Sequence, residues 1–196
     1  DPEVSVSPNY HAIDQYLTYQ FVPSPLTAFK GIKRLSPGEY LICDLKGNMK
    51  INRYWKPPVL ENNKKSTSNI EEEILYRLRE SVKIRMISDV PLGAFLSGGI
   101  DSAVVVSLMA EESNMPVKTF SIGFEEDVFN ELPYARMISD RYGTDHHEFI
   151  VKPSAAEVLP LLVHHYNEPF ADSSAIPTYY VSKMARKHVT VALSGD

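Results

Sequence analysis

The stretch Phe95-Leu96-Ser97-Gly98-Gly99-Ile100-Asp101-Ser102 decides the fold of this chain, because it joins two apolar runs through a loop of small residues. The run before it, Val90 to Leu96, is typical of a buried strand, and the run after it, Ala103 to Met109, is typical of a buried helix. Two adjacent glycines between a strand and a helix let backbone N–H groups converge on an anion. The stretch therefore predicts a phosphate-binding loop.

Outward from this loop, strand and helix patterns alternate. Strands are predicted at 90–96, 117–124, 146–151 and 189–193, and helices at 100–110, 130–142, 155–166 and 175–187. Pro160 must kink the third of these helices or lie near its start. Alternation with apolar strands indicates an α/β fold, a parallel sheet with helices on both faces. Ligands of such sheets bind beyond the carboxyl ends of the strands, which here carry the loop, Ile122-Gly123 and Ser194-Gly195-Asp196.

The N-terminal part has a different organisation. Asn9 to Gln20 carries apolar residues at helical spacing, and a hairpin is predicted around Lys46-Gly47-Asn48. Pro57-Pro58 and the polar residues after it are typical of a linker. We therefore predict three parts: a small α+β domain at 1–57, a linker at 58–68 and a larger α/β domain at 69–196.

The residue types of the loop exclude two common kinds of nucleotide-binding loop. It has no Gly-Lys-Ser/Thr of the kind that holds a γ-phosphate, and no GxGxxG of a dinucleotide fold. Ser97 and Ser102 supply hydroxyl groups. A carboxylate beside a phosphate is repulsive unless a cation lies between them, so we infer that Mg²⁺ bridges Asp101 and phosphate oxygens. The alternatives are that Asp101 only caps the helix, and that the loop is an ordinary strand–helix turn.

The hexapeptide Ser97 to Ser102 resembles the SGGxDS motif of the PP-loop ATP pyrophosphatases. The chain from Asp89 to Asp196 resembles, more specifically, the synthetase domain of glutamine-hydrolysing asparagine synthetases. The segment from Asn9 to Trp55 is similar to the last elements of the N-terminal nucleophile glutaminase domain of that family. The supporting stretches are Asp89 to Gly93, Thr119 to Phe124, Glu168 to Asp172 and Val191 to Asp196.

The resemblance implies an adenine nucleotide α-hydrolase-like fold and a set of site residues. Those that hold pyrophosphate and Mg²⁺ would be Ser97, Gly98, Gly99, Asp101 and Ser102, with Asp101 as the metal ligand. Those that line AMP would be Leu96, Ile122, Ser194 and Gly195. Asp196 matches an acidic position near the metal and the adenylate, so the resemblance makes Asp101 and Asp196 the catalytic candidates.

The implied reaction is the ATP-dependent amidation of aspartate to asparagine. It passes through β-aspartyl-AMP, releases pyrophosphate and AMP, and takes ammonia from glutamine. The family's N-terminal cysteine is missing, since the chain begins at Asp1 and Cys43 lies within a predicted strand. We therefore expect the chain to be a fragment that is incomplete for turnover.

Alternative functions remain open. One is another PP-loop amidotransferase or ligase acting on a different carboxylate, such as a β-lactam-forming relative. The other is a nucleotide-binding module without turnover.

The composition of the chain indicates which partners and which cellular location to expect. The net charge of −5 argues against nucleic acid, and the single cysteine excludes an internal disulfide or a CxxC pair. No apolar run is long enough to span a membrane. We expect a cytoplasmic protein, and the sequence leaves a homodimer open.

Two polar clusters need separate interpretation. His146-His147-Glu148 resembles a metal cluster, but adjacent side chains of a strand point to opposite faces, which favours packing roles. Glu168 and Asp172 serve either turn and cap chemistry or the shape of the substrate pocket.

Overall fold

A computed structural model describes residues 6–58, 67–124, 130–152 and 154–195 of the chain. The chain forms two compact units. The first contains Asp1–Asn63 and Ala156–Ser173, and the second contains Lys64–Ala155 and Ser174–Asp196. The helices are α1 (Tyr10–Tyr19), α2 (Thr67–Arg85), α3 (Ile100–Glu112), α4 (Leu132–Tyr142), α5 (Ala155–Tyr166) and α6 (Ala175–Ala185). The strands are β1 (Glu39–Cys43), β2 (Met49–Arg53), β3 (Leu92–Phe95), β4 (Lys118–Phe124), β5 (Asp145–Val151) and β6 (Val191–Leu193).

The first unit contains the predicted helix and hairpin. The side chain of Asn9 accepts a hydrogen bond from the backbone N–H of Ala12 at the start of α1. Strands β1 and β2 pair antiparallel, and the Asp44 carboxylate accepts from the backbone N–H groups of Lys46 and Asn48 in the turn between them. Most of α5 also belongs to this unit. Pro160 is the sixth residue of α5, so it lies beyond the first turn and not near the start.

The second unit is built on a four-stranded sheet in the order β5-β4-β3-β6, and all three of its strand pairs are parallel. The predicted α/β architecture is confirmed. On one face, Val82 of α2, Val106 of α3 and Ala135 of α4 form one core cluster with Ala94 and Leu96 at the β3 end. On the other face, the core cluster joins Val181 and Ala185 of α6 to Phe120 of β4. Burial of each large apolar side chain contributes about 2 kcal/mol, which holds the helices on the sheet.

Helix α4 ends where the sequence predicts but begins two residues later than predicted, with Glu131 and not Asn130 at the cap position. The Asn130 side-chain oxygen accepts a hydrogen bond from the backbone N–H of Leu132 at 3.2 Å. At the other end Gly143 has a φ of 61°, the left-handed conformation that commonly terminates a helix.

The strand order identifies where a ligand can bind. The chain runs outward from β3 through β4 to β5, and then returns to the other side of β3 for β6. The connections diverge at β3 and β6, and a crevice opens beyond the carboxyl ends of parallel strands at such a point. Within the part of the chain that is described, none of the helices has the length and apolarity needed to cross a membrane.

Candidate functional site

The loop after β3 is held by its own hydroxyl groups. The buried Ser102 Oγ accepts a hydrogen bond from the Ser97 backbone N–H at 3.2 Å and lies 2.9 Å from Ser97 Oγ. Ser97 Oγ accepts in turn from the Gly99 N–H at 3.2 Å. These bonds fold the strand end onto the first turn of α3, so the loop is shaped before any ligand arrives.

Helix α3 begins at this loop without a side-chain cap. Gly99 occupies the cap position with extended backbone angles, and glycine has no side chain that could cap the helix. Asp101 lies exposed in the first turn of the helix. The uncapped N–H groups and the helix dipole make this end of α3 suited to an anion, and Asp101 places a carboxylate beside it.

The end of β6 lies against the same turn of α3. A Cβ atom built on Gly195 would be 2.5 Å from the Ser102 backbone nitrogen and 2.6 Å from the Asp101 carbonyl carbon. Only glycine allows the two backbones to approach this closely. The segment after β6 is therefore in direct contact with the first turn of α3.

Two adjoining pockets open at these strand ends. The loop pocket, of about 400 Å³, is lined by Ser97, Gly99, Asp101, Ser102, Ser194 and Gly195, together with Thr178 of α6. The strand-end pocket, of about 520 Å³, is lined mainly by apolar side chains, among them Leu96, Phe120, Ile122, Leu132 and Pro177. Phe95, Ser97 and Val181 line both. Hydroxyl groups, glycines and one carboxylate thus predominate in the lining of the loop pocket, and larger apolar side chains predominate in that of the strand-end pocket.

Most of the site residues predicted from the sequence meet at these two pockets. The loop pocket is lined by Ser97, Gly99, Asp101, Ser102, Ser194 and Gly195, and the strand-end pocket is lined by Leu96 and Ile122. Gly98 lies in the loop and packs against Glu131 and Tyr134. Asp196 lies outside the described residues, and the binding roles of the whole set stay predictions.

Sequence reasoning missed the residues that come from α4 and α6. Glu131 lines the strand-end pocket and contacts the loop, while Thr178 and Val181 line the loop pocket. Both helices were predicted, but nothing in their patterns indicated which turn would face the crevice. For Glu131 one signal existed, because it directly follows Asn130, the predicted cap of a helix that begins after β4.

The two adjacent histidines of β5 point to opposite faces of the sheet, as predicted. His146 Nδ1 lies 2.8 Å from Thr119 Oγ1, beside Thr144 and Ser139. His147 stacks on Phe120 and lies with its ring centroid 4.2 Å from that of His188. The two rings therefore serve separate packing clusters on the two sides of β5.

The environment of His146 lowers its pKa. The main cause is burial, which disfavours the charged ring, and the nearby charge of Glu148 opposes the shift. His146 Nε2 is buried and lies 3.4 Å from a Glu148 carboxylate oxygen without a hydrogen bond. Two hydrogen bonds of 2.6 Å join Arg136 to the Glu148 carboxylate and hold the pKa of that group below its usual value.

Glu168 has a structural partner within the first unit, where it forms an ion pair with Arg34. This contact favours the turn and packing interpretation of Glu168. Among the described residues there is no group of three or more His, Cys, Asp or Glu side chains that could hold a metal ion between them.

Comparison with known proteins gives consistent matches. The family model described as asparagine synthase matches residues 73–196. Over 190 residues the chain is 39% identical to glutamine-hydrolyzing asparagine synthetase 1 of Bacillus subtilis, a match that covers 94% of this chain and 29% of that protein. Over 193 residues it is 42% identical to putative glutamine-hydrolyzing asparagine synthetase 2 of Methanocaldococcus jannaschii, covering 96% of this chain and 37% of that protein. The chain thus spans well under half the length of these relatives.

Among solved structures, the chain is similar to an NH3-dependent NAD synthetase from Campylobacter jejuni. The TM-score is 0.40 and the sequence identity 15%, and the match covers 67% of this chain and 57% of that one.

Proposed function

Since the chain belongs to the asparagine synthase family, we propose that it carries the nucleotide site of a ligase that amidates aspartate to asparagine. The intact enzyme would consume ATP, form β-aspartyl-AMP and release pyrophosphate and then AMP. Glutamine hydrolysis elsewhere in the enzyme would supply the ammonia. Residues 1–57 would be the end of that glutaminase domain, 58–68 a linker, and 69–196 the first half of the synthetase domain.

The observation that carries the proposal is the junction of the two pockets at Ser97. ATP has a charged polyphosphate tail and a flat aromatic base; the loop pocket offers hydroxyl groups, glycines and the Asp101 carboxylate, and the strand-end pocket offers mostly larger apolar side chains. We assign pyrophosphate to the loop pocket, held by Ser97, Gly98, Gly99, Asp101 and Ser102. We assign AMP to the neighbouring strand ends, where Leu96 and Ile122 line the strand-end pocket and Ser194 and Gly195, after β6, line the adjoining loop pocket. The bond to be cut would then lie close to Ser97, which lines both pockets.

The residues present suit a magnesium ion bound together with substrate. Mg²⁺ in nucleotide enzymes is commonly held by one or two carboxylates plus the phosphates, and not by a cage of protein ligands. Asp101 offers an exposed carboxylate in the first turn of α3, at the rim of the loop pocket. Asp196, two residues after Ser194, matches an acidic position that the family has near the metal and the adenylate. When bound, Mg²⁺ would offset the negative charge of the departing pyrophosphate.

In the proposed reaction the chain mainly positions groups. The loop N–H groups and the start of α3 hold the pyrophosphate, and the strand ends hold AMP. A carboxylate oxygen of aspartate attacks the α-phosphorus, and the bond from that phosphorus to the bridging oxygen breaks. Ammonia then attacks the acyl carbon, AMP leaves, and one proton is released. Fixed geometry of this kind lowers the barrier by removing the entropy cost of alignment.

Exchange of labelled pyrophosphate into ATP tests the assignment on the intact protein. We expect exchange that requires aspartate and Mg²⁺ and that does not occur with glutamate. Exchange with another carboxylic acid alone would indicate a different amidotransferase or ligase. Binding of ATP with no exchange in the presence of any of these carboxylic acids would indicate a nucleotide-binding module.

The partners in this proposal are aspartate, ATP and glutamine-derived ammonia, and the place of action is the cytoplasm. Sedimentation of the intact protein tests whether it forms a homodimer.

A further inference from the structure

The start of α4 is in direct contact with the phosphate-binding loop. The backbone N–H of Gly98 donates a hydrogen bond to Glu131 Oε2, with a nitrogen–oxygen distance of 3.3 Å. Gly98 is the central residue of the loop Ser97-Gly98-Gly99, and its N–H is among the groups expected to bind a phosphate oxygen. In this structure a carboxylate oxygen accepts the hydrogen bond of that N–H group.

Close packing fixes this contact. A Cβ atom on Gly98 would lie 2.8 Å from Tyr134 Cβ and 3.2 Å from both Glu131 Cβ and the Glu131 carbonyl oxygen. The loop backbone is therefore seated on the first turn of α4, which leaves the Glu131 side chain a short path to the Gly98 N–H. Glu131 also lines the strand-end pocket, so its carboxylate lies at the edge of the proposed nucleotide site.

We propose that the Glu131 carboxylate accepts the hydrogen bond of the Gly98 N–H in the free protein, and that a pyrophosphate oxygen replaces it as the acceptor on binding. Glu131 would thus be a specificity-determining residue. The inference rests on the proposed function, because it requires a polyphosphate in the loop pocket. One N–H group directed at one acceptor cannot serve a carboxylate and a phosphate oxygen equally well. Both acceptors are anions, so the Glu131 carboxylate and a phosphate oxygen compete for the same N–H group.

The negative charge of Glu131 affects metal-free and metal-loaded polyphosphate to different extents. Asp101 already places one carboxylate at the loop pocket, and Glu131, which accepts from the Gly98 N–H, adds a second at the adjoining strand-end pocket. Metal-free pyrophosphate carries its full negative charge and is repelled by both. A ligand loaded with Mg²⁺ carries less charge and is repelled less. Glu131 therefore favours metal-loaded over metal-free polyphosphate.

Calorimetric titration of the intact protein with inorganic pyrophosphate tests this role, once in the presence of Mg²⁺ and once in a metal chelator. Glu131→Gln keeps the size of the side chain and an acceptor oxygen while it removes the charge. Glu131→Ala removes both. Glu111→Gln is the charge control, because Glu111 lies near the far end of α3, about 16 Å along the helix axis from its start, in a surface ion pair with Arg79.

We expect Glu131→Gln and Glu131→Ala to bind metal-free pyrophosphate about threefold to tenfold more tightly than the unsubstituted protein. The gain should be smaller in Mg²⁺, and Glu111→Gln should change neither affinity. Thermal denaturation shows whether Glu131→Ala is still folded, and Glu131→Gln decides the matter if it is not.

Two results would overturn the role of Glu131. Weaker binding of magnesium pyrophosphate by Glu131→Gln would make Glu131 a metal ligand or a brace of the loop. Unchanged affinity in both solutions would leave it a surface carboxylate. Failure of the unsubstituted protein to bind pyrophosphate at all is a different result, because it would overturn the proposed nucleotide site and the inference with it.

Discussion

Gly195 and Ser102 lie in backbone contact, so that a Cβ atom on Gly195 would be 2.5 Å from the Ser102 nitrogen. Gly195 follows β6, and Ser102 belongs to the helix that follows β3. These two residues come from segments more than ninety positions apart in the sequence. Their contact closes one side of the loop pocket, and the first prediction tests it.

Gly195→Ala should disturb the loop pocket and lower stability. The new methyl group would meet backbone atoms of Asp101 and Ser102, which cannot rotate away as a side chain could. Such overpacking costs about 1–3 kcal/mol. We expect a lower melting temperature of the intact protein and weaker pyrophosphate binding. Gly99→Ala is the comparison, because its methyl group would meet only the Ser97 hydroxyl, at 3.2 Å. An equal loss of stability in both variants would contradict the argument.

Ser102→Ala should loosen the loop. The hydroxyl is buried and accepts from the Ser97 N–H, so its removal leaves that N–H without its partner. An unsatisfied group of this kind costs about 1–3 kcal/mol, to be measured by chemical denaturation. Pyrophosphate affinity should fall as well. Ser107→Ala, five residues along the same helix, removes only a bond to the Val104 carbonyl within α3, and should change binding little.

Asp101→Asn should separate metal binding from folding. If Asp101 is the Mg²⁺ ligand, the variant loses about tenfold or more of its Mg²⁺-dependent affinity for ATP. The carboxylate is exposed, and its interaction with the helix dipole contributes at most about 1 kcal/mol, so the melting temperature should change little. Asp140→Asn on α4 is the matched control, and it should bind magnesium ATP normally. Unchanged affinity in Asp101→Asn would reduce Asp101 to a residue that stabilises the helix start.

His146 should make stability fall in mild acid. Its pKa in the folded protein lies below the usual value of 6.5, mainly because the ring is buried. The unfolded chain therefore binds more protons near pH 6, and stability rises with pH there. The contribution is fully present above about pH 6.5 and is lost as the pH falls through the lowered pKa. Glu148 acts in the same direction below about pH 4.5, since its pKa is also lowered.

Denaturation midpoints at several pH values between 7 and 5 measure the effect of His146. We expect the slope to be shallower in His146→Gln, because no ring at this position can take up a proton. His164→Gln, at an exposed position on α5, serves as the control. Equal slopes in His146→Gln and the unsubstituted protein would show that the acid sensitivity between pH 7 and 5 does not come from His146.

The sequence determined the local elements and the loop, because both depend on short-range chemistry. Apolar spacing predicted β4 and α3 to within two residues, and Gly143 predicted the end of α4 by its residue type, although Glu131 and not Asn130 takes the cap position at the start of that helix. The pair Gly98-Gly99 after a buried strand indicated an anion site. The motif also indicated the family to which the chain belongs.

The tertiary structure alone decided which distant residues reach that loop. The position of β6 beside β3, and hence the contact of Gly195 with Ser102, follows from the order in which the strands pair. Glu131 reaches the Gly98 N–H because α4 packs its first turn on the loop, and Thr178 reaches the loop pocket because α6 covers the other face of the sheet. Periodicity indicates that a helix has a buried face, but which partner that face meets depends on packing between segments far apart in the chain.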